Sequence, residues 1–318
     1  MPDKSNQHEL LANLAQDYYL SQLSLAELSE KYHLSRYLIN KYLDDARREG
    51  IVTINIAAPN PRNLELEKTF QKEFAIPHIY ILKDNISPTE TIDNVLNYAA
   101  HQLAPMISQS KIVGLTWGGT IFNIINYFPA SVLENVTFTQ FIGENMKYKS
   151  AAGSMRMVEL AAAKFSAEYL TMTGPLYIID DNVRNTMAQE IAVKPAFEAA
   201  RKMDLLFTAL GTLSSLDSIP TWQENRSAIL EDVNPDEIAG MLYGRPYDKN
   251  GQFLTSEHDK VFGLSIPEIL ATPRRFGVVK SKFKTQAALG ALRGNLLTDL
   301  VTTESIARRI LSDAQQDK

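Results

Sequence analysis

The sequence predicts an α/β protein: a small N-terminal helix-turn-helix unit, winged-helix-like, followed by a large Rossmann-like α/β domain. Three observations carry this. Short helical patterns fill the start of the chain, and the second opens on a capping signature. A stretch with two prolines, Ala57-Ala-Pro-Asn-Pro-Arg62, then interrupts the pattern. Beyond it, apolar strand candidates alternate with helical patterns over about 250 residues, as in a mostly parallel sheet covered by helices. A chain of 318 residues has room for about two domains. The expected division is 1–56 for the helix-turn-helix, 57–62 for a linker and 63–318 for the large domain.

In residues 8–20, Leu11, Leu14, Ala15, Tyr18 and Tyr19 recur at three- and four-residue spacing on one helical face. Ser24, with Glu27 three residues on, is a capping box that starts a second helix ending near His33. Ser35 caps a third helix, 36–49, and Gly50 stops it. IVTINI, 51–56, reads as a short strand. In the large domain the strand candidates are 78–82, 112–116, 136–142, 169–172, 205–210, 276–279 and 296–301. Helical patterns cover 64–74, 89–107, 119–127, 154–167, 184–202, 266–271, 282–293 and 303–312.

Composition removes several function classes. With no cysteine there is no disulfide framework, thiolate nucleophile, zinc finger or iron–sulfur cluster. The opening MPDKSNQHELL lacks the apolar core of a signal peptide, and no apolar run reaches the roughly 18 residues of a membrane span, so a cytoplasmic location without membrane contact is expected. The five histidines show no clustering that suggests a metal site, and no cofactor is expected.

A net charge of −5 gives no chain-wide basic field for nucleic acid. The average hides a local excess, because 31–48 carries Lys31, Arg36, Lys41, Arg47 and Arg48 against Asp44 and Asp45, a net of +3. Ala26 is a small residue suited to close helix approach, and His33-Leu34-Ser35 is the turn. The helix after that turn is the one that enters the major groove. The candidate DNA-contacting residues are Ser24, Ser35, Arg36, Tyr37, Asn40 and Lys41. Arginine forks onto guanine and asparagine onto adenine, while serine and lysine suit phosphates or bases. A small docking or dimerisation bundle is the alternative reading of this segment.

The sharpest motif in the large domain is Ile112-Val-Gly-Leu-Thr-Trp-Gly-Gly-Thr-Ile-Phe-Asn123. A strand runs into Trp117, Gly118, Gly119 and Thr120, and a helix follows. Glycines let backbone N–H groups turn toward a ligand, and a helix start favours an anion. This is a candidate phosphate cradle, without the Walker or GxGxxG spacing. A Gly-Gly turn that merely packs strand on helix is the alternative. Gly211 and Thr212, and Gly143, follow other strands, and ligands of open α/β sheets sit at strand carboxyl ends. Arg245 and Lys284 are the candidate cations.

As a set, the helix-turn-helix through REGIV, VGLTWGGT, ALGTL, GRPYDKNG, the Lys284 helix and LRGNLLTDLVTTESIARRIL run through nearly the whole chain. The chain resembles the SorC family, the SorC/DeoR-type sugar-binding transcriptional regulators. The resemblance implies a large domain like that of phosphosugar isomerases and deaminases, used for sensing. It implies operator DNA and a phosphorylated sugar effector as partners, a repressor of a carbohydrate catabolic operon, and a homo-oligomer, a tetramer built as a dimer of dimers. It places the phosphate turn on Trp117, Gly118, Gly119 and Thr120, an arginine on Arg245 and a lysine on Lys284.

Three departures qualify it. Gly119 stands where relatives often have threonine or another polar residue, and Lys280-Ser281 where they often have two glycines. Ile142 stands where a deoxyribose-phosphate sensor of the family forms a Schiff base through lysine, so covalent capture is not expected at that position. Lys147 and Lys149 lie nearby. The strand near 169–172 reads Tyr-Leu-Thr-Met, without the arginine that holds a second phosphate in a relative of the glycolytic-gene type. The enzyme alternative is a phosphosugar isomerase or deaminase, which needs a positioned general base. Glu144, Asp180, Asp181, Asp217 and Glu268 are the candidates, and none is paired with a second acid or histidine in the sequence.

Overall fold

The computed structural model describes residues 4–52, 61–145, 154–255 and 258–316. The chain divides into two compact units, 1–59 and 60–318.

The described residues of the first unit form three helices, Lys4–Tyr19, Leu25–Tyr32 and Arg36–Arg48. Leu11, Leu14, Ala15, Leu28, Ile39, Leu43 and Ala46 form its core. Glu27 N donates to Ser24 Oγ at 3.3 Å, and Ser24 N donates back to Glu27 Oε2 at 2.8 Å, so the capping box forms. His33 ends the second helix in the left-handed region, φ 54°, and turns the chain into the third. Asp17 ties the first helix to the second, accepting from Lys31 Nζ and Tyr32 Oη at 2.6 Å each. Burial first, and then this bond, push the Tyr32 phenol up to about 12. Ala26 is exposed, not at a close helix approach. Leu28 is the residue of that helix that enters the core instead. Ile51 and Val52 form a bend, and the rest of the expected IVTINI strand, with 57–60 of the linker, lies outside the described residues.

The described residues of the second unit hold nine strands: β1 His78–Leu82, β2 Ile112–Leu115, β3 Thr137–Thr139, β4 Glu168–Leu170, β5 Leu205–Ala209, β6 Gly240–Leu242, β7 Arg245–Tyr247, β8 Arg274–Val278 and β9 Asp299–Thr303. Seven form one sheet in the order β1-β9-β8-β5-β2-β3-β4, with every neighbouring pair parallel. Helices cover both faces, so strand residues alternate between two cores. In β5, Leu205 and Phe207 join the core under the helices Pro88–Ser108, Gly119–Tyr127 and Ser154–Phe165, while Leu206 joins the opposite one. Each large side chain buried this way contributes about 1.5–3 kcal/mol.

The order fixes where a ligand can sit. From β2 the chain steps outward to β3 and β4, then returns to place β5 on the other side of β2. The connections leaving β2 and β5 diverge, and a crevice opens between their carboxyl ends.

Some element bounds differ from the sequence reading. The expected helix 184–202 is two helices, Asp181–Met187 and Lys194–Ala200, and Pro195 sits in the first turn of the second. Proline starts a helix readily but interrupts a continuous one. The expected strand 296–301 is displaced to Asp299–Thr303, because Leu296 N donates to Ala291 O and prolongs the preceding helical turn. The antiparallel pair β6–β7 had no counterpart in the pattern. Its strands have three residues each, too few to show a period.

Asp299 is fully buried at the start of β9 and accepts from Arg274 Nε at 2.9 Å and Nη2 at 2.5 Å, at the start of the neighbouring β8. Arg274→Ala strands that carboxylate with Thr298 as its remaining side-chain donor. Denaturant unfolding is expected to show a loss of about 3 kcal/mol, largely recovered when Asp299→Leu is added.

Candidate functional site

A cavity of about 400 Å³ opens in that crevice. Thr116, Trp117 and Gly118 follow β2, and Thr208 to Gly211 end β5. Met241 to Gly244 come from the β6–β7 pair. The short helices Leu213–Asp217 and Pro220–Glu224 close one side with Ser214, Ser215, Leu216 and Trp222, and Ile142, Leu176 and Tyr177 complete the wall.

Of the nine residues expected at an effector site, Trp117, Gly118 and Gly211 line this cavity. Gly118 precedes the helix Gly119–Tyr127 with φ 115°, a conformation that side chains rarely adopt, and no side chain among the described residues caps that helix. A Cβ added at Gly118 or Gly119 meets nothing within 4 Å, so both face open space. Among the described residues, no side-chain cap occupies the N–H groups at the positive end of this helix. Thr120 is buried one residue further in. Lys284 reaches the back of the wall, where Nζ donates to Leu210 O. Burial, and then the neighbouring Lys280, hold its ammonium below the usual lysine range.

The other candidates are engaged elsewhere. Gly143 N donates to Phe262 O at 2.8 Å, and a Cβ there would stand 2.5 Å from Pro175 O. Its glycine serves a close backbone crossing, so its N–H is not aimed at a ligand. Gly211 lines the cavity, but its N–H goes to Met241 O at 2.9 Å. Thr212 starts a short helix, its N–H on Ser215 Oγ at 3.1 Å. Arg245 is 2% exposed and all three guanidinium nitrogens are engaged: Nε reaches Asp259 at 2.8 Å, Nη1 the Tyr243 carbonyl at 3.0 Å and Nη2 the Leu264 carbonyl at 2.9 Å. Arg245 is thus a pin between β7 and the 259–264 segment, outside the cavity wall. Ile142 does line the cavity, whereas Lys147 and Lys149 lie outside the described residues.

Three aromatic wall residues, Tyr177, Trp222 and Tyr243, escaped the sequence reading. They sit on loops and a one-turn helix, where no periodicity marks them. The one signal was scarcity: the chain has two tryptophans, and both line the cavity.

The proposed general bases are also accounted for. Glu268 closes a capping box with Ser265 and binds Arg201 at 2.8 Å. Asp180 caps a helix, Asp181 pairs with Arg184, and Asp217 pairs with Arg226. None of these four, nor Glu144, lines the cavity.

In the first unit, Arg36, Tyr37, Asn40 and Lys41 are exposed along the start of the third helix. Ser24 and Ser35 also lie at exposed helix starts and spend their hydroxyl oxygens on caps, to Glu27 N and Leu38 N at 3.3 Å each. Lys31, Arg47 and Arg48 pair with Asp17, Asp44 and Asp45. Among the described residues no acid pairs with Arg36 or Lys41, so the uncompensated charge of this segment collects at the helix start.

Residues 59–312 match the family model described as "Putative sugar-binding domain". The chain belongs to this family. It is 23% identical over 313 residues to the sorbitol operon regulator of Klebsiella pneumoniae, covering 97% of this chain and 99% of that protein. It is 21% identical to the transcriptional regulator LsrR of Escherichia coli K12, covering 96% and 95%. The crystal structure of the full-length Klebsiella sorbitol operon regulator SorC superposes with a TM-score of 0.79 at 22% identity, covering 96% of this chain and 98% of that one. A DeoR family regulator from Listeria monocytogenes superposes at 0.66 over 78% of this chain. The family is that of SorC/DeoR-type regulators, and the chain is a sugar-responsive regulator, not an enzyme.

Arg245→Ala removes the guanidinium from Asp259, which keeps Val261 N as a donor, and from the Tyr243 and Leu264 carbonyls. Thermal and denaturant unfolding are expected to show a loss of about 3–5 kcal/mol.

Proposed function

We propose that this chain represses a carbohydrate catabolic operon and that a phosphorylated sugar controls it. The observation that carries the reading is the cavity at the β2–β5 crevice opening on an uncapped helix start, in a chain that also carries a helix-turn-helix. The phosphate sits on the backbone N–H groups at Gly118, Gly119 and Thr120. The Lys284 ammonium adds its charge from behind Leu210. Ser35, Arg36, Tyr37, Asn40 and Lys41 face the operator, with Ser24 at the start of the preceding helix. The protein works in the cytoplasm as a homo-oligomer, a dimer of dimers, so that paired helix-turn-helix units meet paired half-sites. Sugar binding changes the packing between subunits and with it the spacing of those units. The aligned relatives are regulators, and the candidate bases are away from the cavity; both support sensing over isomerase chemistry.

A gel-shift against DNA from the adjacent operon tests this. A specific, salt-sensitive complex is expected. Arg36→Ala with Lys41→Ala should weaken it and make its salt dependence shallower, by roughly one in the log–log slope for each phosphate no longer neutralised. A complex that competitor DNA removes as readily as operator DNA contradicts the reading.

A further inference from the structure

The cavity is less polar than a site for a bare sugar phosphate needs to be. Among the described residues, its wall carries no lysine, arginine, histidine, aspartate or glutamate. Trp117, Tyr177, Trp222 and Tyr243 give it four aromatic rings, with aliphatic side chains such as Ile142, Leu216 and Ile219 between them.

The polar groups on the wall are largely committed. Tyr177 Oη donates to Gly244 O at 2.7 Å, and Tyr243 Oη to Leu296 O at 3.0 Å, so neither hydroxyl donor is left to a ligand; the Tyr177 ring is half-buried, while Tyr243 is buried. Thr116 and Thr208 bond each other at 3.1 Å. Ser214 is bonded to Thr212 Oγ1 at 2.8 Å, Ser215 Oγ accepts from Thr212 N at 3.1 Å, and Ser218 donates to Ser215 O at 2.8 Å. A sugar with hydroxyls on every carbon would leave water here and recover few hydrogen bonds, which is costly. An apolar or aromatic group recovers ring contacts instead: Trp117 and Tyr177 are half-buried on the wall, and Trp222 stands edge to face with Tyr177 at 5.0 Å.

We infer that the effector is a sugar monophosphate bearing an apolar or aromatic substituent, with that substituent in the aromatic cavity and the phosphate at the Gly118–Gly119 helix start. The inference rests on the cavity being the effector site. A glycoside with an aromatic aglycone and a nucleoside monophosphate both offer this chemistry.

Intrinsic fluorescence tests it on the full chain, because both tryptophans line the cavity. The ligands are phenyl glucoside phosphate, thymidine monophosphate, glucose phosphate, deoxyribose phosphate, unphosphorylated phenyl glucoside and inorganic phosphate. One of the first two is expected to shift the emission and to bind roughly tenfold or more tighter than its parent sugar phosphate. Which of the two does so identifies the source. Trp222→Leu should remove most of that advantage, and Trp222→Phe, which keeps a ring, should retain it. A parent sugar phosphate that binds as tightly as its substituted form overturns the inference and leaves the phosphate reading intact. Phenyl glucoside binding equally well without its phosphate overturns the inference at its phosphate and the phosphate reading with it. An emission unmoved by both substituted ligands overturns the inference.

Discussion

The return of β5 to the far side of β2 is the constraint on which the site depends. A parallel sheet buried on both faces leaves no room for a ligand except at its ends. The reversal of strand order selects one place on the carboxyl edge, because there the helices on either side lead away from each other. Everything else at the site is local adjustment to that crevice. Asp204 accepts from Lys111 N and Ile112 N at 2.7 and 3.0 Å and fixes the start of β2 beside β5. Gly118 then turns the chain into a helix without crowding the opening it has just made.

Charge is placed with the same economy. Two cations read from the sequence as partners of one anion occupy different environments. Lys284 lies against the end of β5 on a backbone carbonyl, with its charged form disfavoured by burial and by Lys280. Such an ammonium has a reason to prefer an anion over its present partner. Arg245 has none: a carboxylate and two carbonyls already satisfy its donors. The first unit repeats the distinction, with Lys31, Arg47 and Arg48 paired, and Arg36 and Lys41 left at a helix start.

Much of this was legible in the sequence because it follows from period and capping. The helices 64–74 and 119–127 have the bounds their patterns give. The turn after β2 was marked by its glycines, and the crevice followed from strand–helix alternation. What was not legible depends on three-dimensional crossing. Gly143 looks like a ligand turn in sequence and is a backbone crossing against Pro175 in space. Arg245 looks like a free cation until Asp259 arrives from fourteen residues away. Tyr177, Trp222 and Tyr243 come from two loops and a one-turn helix far apart in sequence, and only the fold brings their rings to one cavity.

The central claim is that sugar occupancy of the cavity and operator binding are linked. Linkage is reciprocal, so the effector affinity must change when operator DNA is present. The most direct measurement is a fluorescence titration of the cavity tryptophans with effector, in the absence and presence of saturating operator. The account predicts that operator changes effector affinity by the same factor by which effector changes operator affinity, about 5–150-fold for a typical coupling. Equal effector affinity with and without operator would contradict it.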